Sequence, residues 1–469
     1  MNEKRLSRRQ FLISTSALAA GGVLAACAPK PAPPQPTSAP AGEGIPTQEA
    51  PIPAPAKGTL IRFWTGWGGT GTGKSFQQIQ ESEEFKAALG NNTFELKDAV
   101  NNEAMLAAVA AGDPPDGGSC IEYLDFMARD ALLPIDDMVA ASSVLKKEDF
   151  LDGTWDFCSY KGVTYGVPAI EGFLPFGLNY NARLVSEAGL DPDKPPVTWD
   201  EAYAWHEKLT KFDDAGNLLR IGLNPYGAMA EGVWYAGGWV ASISWGWNWF
   251  NEDEGTFDLN NEKMIDVYAT FKKFIDLAGV DNMTSMYSVE GRDTWGGAFN
   301  AEVEAMIIEG YWHPGETANE APEISKHNRA TWLPVPESRR GAKVQGSYTH
   351  MVVIFNGAKN PQGMFKIAEV LTTRVACDAF FKNLGWLPPI KAYYATVDGS
   401  IYPGLQFYLD SVAQHEVQRT PKCEITAYVS NEYMTLGDKV NRNEMTPAEA
   451  AAEFQRRCEA EYEAAGFKS

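Results

Sequence analysis

Alternating strand-like and helical segments constrain the fold of this chain of 469 residues more than any other feature. The strand-like runs are 60–64, 93–96, 176–180, 219–223, 305–308 and 352–355, and the helical segments are 75–89, 103–111, 199–210 and 261–277. A strand, a helix and a further strand in this order favour parallel pairing, with helices covering the sheet. We therefore predict an α/β fold large enough for two domains. The chain after Pro361 is predicted to be mostly helical, with a helix that starts at Thr446.

The first 26 residues have the pattern of an export signal. Arg8 and Arg9 directly precede an apolar stretch that runs from residue 11 to residue 26. That stretch is shorter than the roughly 20 apolar residues that a membrane span requires. A basic start, a short apolar middle and a small-residue exit predict a signal peptide over residues 1–26. The paired arginines predict the twin-arginine export route.

Cys27 ends the sequence LAAC, which resembles the lipobox of bacterial lipoproteins, where the cysteine is lipidated. The alternative is a small buried cysteine, which is the usual fate of an isolated one. Residues 28–57 are rich in Pro and Ala and predict a semi-extended linker after the lipidated residue. We therefore expect an exported protein that acyl chains tether to the outer face of the cytoplasmic membrane.

Charge and cysteine spacing argue against several classes of partner. A formal net charge of −21 repels nucleic acid and anionic lipid surfaces. The cysteines after Cys27 lack the close spacing of a metal site, and we predict neither a metal nor a cofactor. They are Cys120, Cys158, Cys377, Cys423 and Cys458. Outside the cytoplasm Cys423 could pair with Cys458 or Cys120 with Cys158, but small buried thiols fit the sequence equally well.

Residues 68–75 read GGTGTGKS and match the phosphate-binding pattern G-x-x-x-x-G-K-[ST]. That chemistry needs backbone N–H groups around a phosphate, Lys74 on the terminal phosphates and Ser75 on magnesium. An exported protein meets little nucleotide, however, and residues 65–67 separate the strand from the first glycine. No apolar run ends in Asp to hold magnesium; residues 306–309 come nearest but end in Glu. We predict a glycine-rich loop before a helix, which could still hold an anionic group of a ligand.

Tryptophan is abundant, with 14 residues in the chain. Five of them lie close together, namely Trp234, Trp239, Trp245, Trp247 and Trp249. The last three alternate, which predicts that they share one face of a strand. Sugar rings have apolar faces that stack on aromatic side chains, and polar groups bind their hydroxyls, so this composition favours a carbohydrate ligand. For any single tryptophan, core packing is the alternative.

An ordered series of motifs resembles the extracellular solute-binding proteins of ABC importers, specifically the maltodextrin-binding-like group. The motifs are MLAAVAAGDPPD at 105–116, ALLPIDD at 131–137, KGVTYGVP at 161–168, NYN at 179–181, AGLDP at 188–192, PPVTWDE at 195–201, F at 299 with AM at 305–306, GYW at 310–312 and LPVP at 333–336. The similarity covers nearly all of residues 58–469. Departures occur at Asp130 and at residues 302–304, and Cys120 and residues 68–73 are also atypical, so ligand contacts near these positions carry over poorly.

The resemblance implies a two-lobed periplasmic-binding-protein fold of type II, with a hinge and a ligand cleft between the lobes. It places the N-terminal lobe at 58–169 plus 346–392 and the C-terminal lobe at 170–345 plus 393–469. The chain is expected to cross between lobes near 169–172, 346–350 and 389–392. Closure around a ligand that touches both lobes would present them to a permease. A monomer is expected.

The resemblance also implies the ligand-binding residues. Trp64 and Trp67 lie in the first cleft loop. Glu122 occupies a loop where the family often has an acidic hydroxyl acceptor, and Glu171 lies at the first crossing. Trp312 matches the family's aromatic platform. Weaker assignments at the lobe edges are Trp234, Trp239 and Tyr348. No catalytic residue is expected.

Two other classes of protein remain open. One is a secreted glycan hydrolase that uses Glu122 and Glu171 as acid and base, although the sequence does not establish the separation of these carboxyls. The other is a sensory or adhesive surface lipoprotein that binds its ligand without transport. The ligand itself is also open: sugars of any length and other polar solutes suit this architecture, and the loop at 68–75 leaves an anionic ligand open.

Overall fold

The computed structural model describes residues 58–172, 176–226, 239–286, 297–347, 349–411, 416–419 and 421–468. The side chains at 239–240, 284–286, 347 and 416–419 are not part of this description. All of these residues belong to a compact unit that runs from Ala54 to Ser469. The leader, Cys27, Trp234 and Tyr348 lie outside the described residues.

Strands in the described residues build two five-stranded sheets and three short pairs. The strands are β1 (Leu60–Thr65), β2 (Thr93–Lys97), β3 (Gly117–Ser119), β4 (Ser159–Tyr160), β5 (Val163–Thr164), β6 (Gly166–Gly172), β7 (Phe176–Asn181), β8 (Lys211–Phe212), β9 (Leu218–Leu223), β10 (Phe250–Asn251), β11 (Thr256–Phe257), β12 (Glu304–Gly310), β13 (Asn328–Thr331), β14 (Val344–Ser347), β15 (Thr349–Ile354) and β16 (Glu416–Arg419). The first sheet has the order β2-β1-β3-β15-β6, and the second has the order β13-β7-β12-β9-β8.

Helices cover these sheets and form most of the chain after Pro361, as the sequence predicts. They are α1 (Thr70–Glu81), α2 (Glu83–Leu89), α3 (Asn102–Ala110), α4 (Tyr123–Ala128), α5 (Asp136–Ala141), α6 (Thr154–Phe157), α7 (Ala182–Glu187), α8 (Trp199–Leu209), α9 (Trp239–Trp245), α10 (Glu262–Ala278), α11 (Val280–Met286), α12 (Gly297–Asn300), α13 (His313–Glu320), α14 (Pro322–Ser325), α15 (Pro361–Val370), α16 (Arg374–Leu384), α17 (Lys391–Tyr394), α18 (Leu405–Ser411), α19 (Thr426–Asn441) and α20 (Pro447–Ala464). The segment predicted as one helix at 75–89 is two helices, because Ser82 caps α2 by accepting from the Phe85 amide.

Parallel pairing, predicted from the alternation, holds where a helix joins consecutive strands of the first sheet. β1 pairs in parallel with both β2 and β3. β15 arrives from far along the chain and runs antiparallel to β3 and β6. Ile61 and Phe63 alternate into the core beneath the sheet. Gly117 allows α15 to pack closely, because a side chain there would lie 2.5 Å from the Met364 sulfur.

The second sheet is built around β12, in which all seven residues are buried. β12 runs antiparallel to β7 and parallel to β9. Helices α8 and α10 pack against β9 of this sheet and against each other, and the Trp199 ring of α8 lies 4.9 Å from the Phe271 ring of α10. Asn261 starts α10 by accepting a hydrogen bond from the Met264 amide.

The chain passes from the first sheet to the second more than once. β6 belongs to the first sheet and ends at Gly172, whereas β7 belongs to the second and begins at Phe176. β14 pairs with β16 outside both large sheets, and β15 follows it in the first sheet. Gly172 lies so close to Pro389 that a side chain at this position would overlap the proline ring. These segments form the boundary between the two sheets.

The prediction that Trp245, Trp247 and Trp249 share a strand face is wrong. Trp245 is the last residue of α9, and the other two lie in the loop before β10. Gly246 ends the helix with a φ of 71°, a left-handed conformation that favours glycine. All three rings are buried, so core packing is the correct interpretation for them.

The C-terminal helix begins as predicted. Thr446 accepts from the Glu449 amide, and the Glu449 carboxylate accepts from the Thr446 amide, which together form a capping box. Cysteines 120, 158, 377, 423 and 458 carry no disulfide, and all but the half-buried Cys120 are buried. Within the described part of the chain, no helix is long and apolar enough to span a membrane.

Candidate functional site

Trp67 begins the candidate site. It lies in the loop between β1 and α1 and is 5 % exposed. The centroid of its ring lies 4.6 Å from that of His350 and 4.9 Å from that of Trp386. His350 comes from β15, and Trp386 follows α16, so three separate segments associated with the first sheet meet here.

Glu171 and His350 are neighbours, but they do not form an ion pair. His350 Nε2 lies 3.6 Å from Glu171 Oε2. Burial lowers the pKa of His350 to about 3 and raises the pKa of Glu171 to about 8. A hydrogen bond with the Tyr311 hydroxyl opposes the rise at Glu171. At neutral pH both partners are therefore mainly uncharged.

The second sheet contributes Glu309, Tyr311 and Trp312, from the end of β12 and the turn into α13. Trp312 Nε1 donates to Glu309 Oε2 at 2.5 Å, and its ring packs over Gly310, where any side chain would overlap it. Burial raises the pKa of Glu309 to about 8; the hydrogen bond from Trp312 and the nearby Gly310 amide dipole oppose the rise, and the charge of Glu171 adds to it.

Glu316 and Trp386 connect α13 to the segment after α16. Trp386 Nε1 donates to Glu316 Oε1 at 2.8 Å. Burial raises the pKa of Glu316 well above its ordinary value, and the charges of Glu309 and Glu171 add to the rise. Gly315 and Gly385 touch backbone to backbone beside this hydrogen bond, so neither position has room for a side chain.

We call this group of residues the carboxyl–tryptophan cluster: Trp67, Glu171, Glu309, Tyr311, Trp312, Glu316, His350 and Trp386. It joins side chains from segments of both sheets. Aromatic faces, carboxyl oxygens and indole N–H groups occur together in it, which is the combination that binds the apolar faces and hydroxyls of a sugar. Among the described residues, no group of three or more His, Cys, Asp or Glu side chains has the arrangement of a metal site.

The structure brings three of the predicted site residues together: Trp67, Glu171 and Trp312. Glu122 is half-buried at the edge of this group, just before α4. Burial and the charge of Asp125 raise the pKa of Glu122 to about 7. After burial itself, the charges of Glu171 and Glu122 raise the pKa of the Cys120 thiol, so this thiol lies near both carboxyls.

Trp64 makes none of the ring contacts of the cluster. It lies on β1, where the Lys97 ammonium sits 4.3 Å from its ring centroid, and it packs partly buried beside the core of the first lobe. Trp239 begins α9, and its side chain lies outside the described part. Trp234 and Tyr348 fall wholly outside the described residues.

The glycine-rich segment does not form a phosphate loop. Helix α1 already begins at Thr70, and the Gly73 amide donates to the Gly69 carbonyl as part of the helix. Lys74 is exposed on this helix, and the Ser75 hydroxyl donates to the Gly71 carbonyl. The Gly73 amide is therefore engaged within the helix and does not line a phosphate-binding loop.

Sequence reasoning missed the other five members of the cluster, which are Glu309, Tyr311, Glu316, His350 and Trp386. The sequence did contain a signal for Glu309 as a site residue. Glu309 directly follows the apolar run at 306–308, and an acidic residue is unusual at the end of a strand that lies in a core. Glu316 and Trp386 are 70 residues apart in the chain, and nothing in the local pattern links them.

The chain is similar in sequence to known binding proteins. The family model described as bacterial extracellular solute-binding protein matches residues 67–376. A putative binding protein of Brucella abortus (strain 2308) is 26% identical over 236 residues, which cover 49% of this chain and 52% of the relative. The chain thus spans about half the length of the curated relatives it matches. A putative binding protein of Brucella suis biovar 1 matches to the same extent.

Several solved structures have the same fold at low identity. A protein named CpMnBP1, solved with mannotriose bound, is 20% identical with a TM-score of 0.73, covering 85% of this chain and 100% of its own. The GacH receptor of Streptomyces glaucescens GLA.O, solved unliganded and with acarbose, is 18% identical with a TM-score of 0.66, covering 86% and 98%. The sugar-binding protein MalE of Xanthomonas citri is 18% identical with a TM-score of 0.62, covering 85% and 96%. These matches confirm the predicted two-lobed α/β fold.

Proposed function

Because the chain belongs to the bacterial extracellular solute-binding proteins, we propose that it captures a carbohydrate outside the cytoplasm and delivers it to the permease of an ABC importer. The observation that carries this proposal is the carboxyl–tryptophan cluster. Three indole rings and three carboxyls from segments of both sheets meet there. Structural relatives solved with mannotriose and acarbose support a carbohydrate as the ligand class.

Ligand capture follows from where the cluster lies. The lobes are proposed to comprise 58–169 plus 346–392 and 170–345 plus 393–469. Trp67 and His350 lie in the first lobe, Glu171 lies at the crossing, and Glu309 and Trp312 lie in the second lobe. A sugar that stacks on an indole of one lobe and hydrogen-bonds a carboxyl of the other interacts with both lobes only when they are closed. Ligand binding thereby favours the closed state that a permease recognises.

Export and anchoring complete the proposal. Residues 1–26 act as a twin-arginine signal peptide, Cys27 carries the lipid, and residues 28–57 hold the body away from the membrane. The mature protein works as a monomeric binding protein and catalyses no reaction. The family match to extracellular solute-binding proteins supports a binding role outside the cytoplasm.

A thermal-shift screen of the body from Ala54 to Ser469 tests the proposal. Neutral mono- and oligosaccharides are compared with amino acids, polyols and nucleotides. A ligand present at 100 times its Kd stabilises the folded state by about 2.7 kcal/mol and raises Tm. We expect a rise with one class of sugar and none with the other solutes.

Trp312→Ala is the matching variant, and we expect it to weaken sugar binding at least about tenfold, because it removes a stacking face and the donor to Glu309. Trp332→Ala is its control, since Trp332 packs on Phe407 and under Lys343, outside the cluster. Equal losses in both variants, or a screen in which no sugar raises Tm, would contradict the proposed function.

A further inference from the structure

The carboxyl–tryptophan cluster contains more acid than a neutral sugar needs. Glu171, Glu309 and Glu316 are each at most 5 % exposed; the charge of Glu171 raises the pKa of Glu309, and the charges of both raise the pKa of Glu316. Among the described residues, no lysine or arginine forms an ion pair with any of them. The basic side chain in contact is His350, which burial keeps uncharged.

Two carboxyl oxygens in the cluster have no hydrogen-bond partner. Glu309 uses Oε2 for Trp312, and Glu316 uses Oε1 for Trp386. Glu309 Oε1 and Glu316 Oε2 are buried and unsatisfied. Buried polar atoms in native proteins are nearly always paired, and each unpaired one costs roughly 1–3 kcal/mol. Each of these two oxygens can therefore accept a hydrogen bond from a ligand.

The protonation of these carboxyls indicates what kind of donor fits. Burial keeps them protonated without a ligand, and a hydroxyl satisfies a carboxyl oxygen only in that neutral form, because it does not compensate the charge of a buried carboxylate. An ammonium group satisfies the oxygen and also compensates the charge of a carboxyl that ionises on binding. Indole faces also attract cations, and Trp312 and Trp386 hold these carboxyls by their N–H edges. The same carboxyls disfavour a phosphate or carboxylate on the ligand, because an ionised carboxyl would repel it.

We propose that the ligand of this site is an amino sugar whose protonated amine binds Glu309 Oε1 and Glu316 Oε2. This inference rests on the proposed function, since it names the class of carbohydrate that the cluster selects. The amine forms charge-assisted hydrogen bonds with both oxygens. One carboxyl ionises on binding and releases its proton to solvent, so the complex contains an ammonium–carboxylate pair.

Three disaccharides that share the same β-1,4-linked glucose backbone test the inference. Their binding to the Ala54–Ser469 body is measured by isothermal titration calorimetry. They are cellobiose, its 2,2′-diamino analogue and the N-acetylated form of that analogue. We expect the diamino compound to bind at least about tenfold more tightly than the other two. Titration in two buffers with different ionisation enthalpies at pH 6.5 is expected to show proton release for the diamino compound alone.

Glu309→Gln and Glu316→Gln keep the shape of the site and remove one charge each. We expect either change to reduce the preference for the diamino compound over cellobiose at least about fivefold. Glu323→Gln is the control, because Glu323 is exposed on α14 and pairs with Lys326. A melting curve for each variant establishes that it is folded, and the proton-release measurement on the unaltered protein needs no variant.

The outcomes separate this inference from the proposed function. If neutral sugars bind and the diamino compound binds no better, or without proton release, the amino-sugar inference is wrong and carbohydrate capture stands. Failure of the diamino compound to bind at all also overturns the inference. If no saccharide in the wider screen binds, the proposed function itself is wrong.

Discussion

Replacing Glu309 with glutamine is expected to change how the stability of the protein depends on pH. Burial raises the pKa of Glu309 from 4.5 to about 8, so the folded state keeps this carboxyl protonated where the unfolded chain has already lost the proton. Its contribution to stability is fully present below pH 4.5 and is lost as the pH rises toward 8. Glu171 behaves in the same way, with a pKa of about 8.

The window from pH 6.5 to pH 8 isolates this effect. Three buried histidines, His206, His313 and His350, have lowered pKa values and act in the opposite sense, but they cost stability only as the pH falls below 6.5. Each pH unit corresponds to about 1.36 kcal/mol per carboxyl, so Glu309 contributes about 2 kcal/mol across the window. Because the neighbouring carboxyls repel each other, removing one charge also eases ionisation of the others.

Urea unfolding at pH 6.5 and pH 8, followed by tryptophan fluorescence and far-ultraviolet circular dichroism, measures the effect. The two signals should report one transition, since a two-lobed protein need not unfold in a single step. We expect the unaltered body to lose stability as the pH rises through this window, and Glu309→Gln to lose about 2 kcal/mol less. A flat or rising profile for the unaltered protein would refute the reasoning.

Glu323→Gln is the control for this experiment as well. The pKa of Glu323 is lowered by Lys326, so this carboxyl is ionised throughout the window in both the folded and the unfolded states. Its replacement should leave the difference in stability between pH 6.5 and pH 8 unchanged. A profile altered equally by both variants would point to a general surface-charge effect instead of the buried carboxyl.

Three further outcomes are expected. Magnesium ATP should not raise Tm in either the unaltered body or Lys74→Ala, because Lys74 is exposed on α1; a shift that Lys74→Ala abolishes would restore the phosphate loop. Thr446→Ala should lower the free energy of unfolding by about 1 kcal/mol in urea, since it removes the cap of α20, and an unchanged value would argue against the cap. Cys27→Ala, expressed in the native host, should move the protein from the membrane fraction to the soluble fraction, whereas retention in the membrane would exclude Cys27 as the anchor point.

Sequence periodicity predicted the strands and helices in which the spacing of apolar residues is regular. The run at 60–64 corresponds to β1 (Leu60–Thr65), and the helix at 261–277 to α10 (Glu262–Ala278). The tryptophans at 245, 247 and 249 show the limit of the method, because alternating apolar residues also occur where a helix ends and a buried loop begins. The positive φ of Gly246 shows that a helix ends here and that no strand runs through these residues. The sequence shows that residue 246 is a glycine but not which φ it adopts.

The candidate site was predictable to the extent that its residues occupy family motifs. Trp312 lies in the GYW motif at 310–312, and Trp67 and Glu171 occupy the expected loop and crossing. The match of the family model to residues 67–376 confirms the resemblance on which these assignments rest. Trp64 was assigned by the same argument, yet it lies on β1 beside Lys97 and makes none of the cluster's ring contacts, whereas Trp67 lies in the loop after β1.

Glu316 shows why the rest could not be predicted. In the sequence HPGETANE it is a polar residue in the first turn of a helix, where a carboxylate is favourable at an exposed N-terminus, so the local pattern predicts a solvated side chain. Its burial results from Trp386, which donates to it from 70 residues away, and from the close contact of Gly315 with Gly385. A buried carboxyl with an unsatisfied oxygen destabilises the folded protein, and departures of this kind from local sequence rules are expected at functional sites. The destabilisation at Glu309 and Glu316 is therefore itself an argument that these side chains bind a ligand.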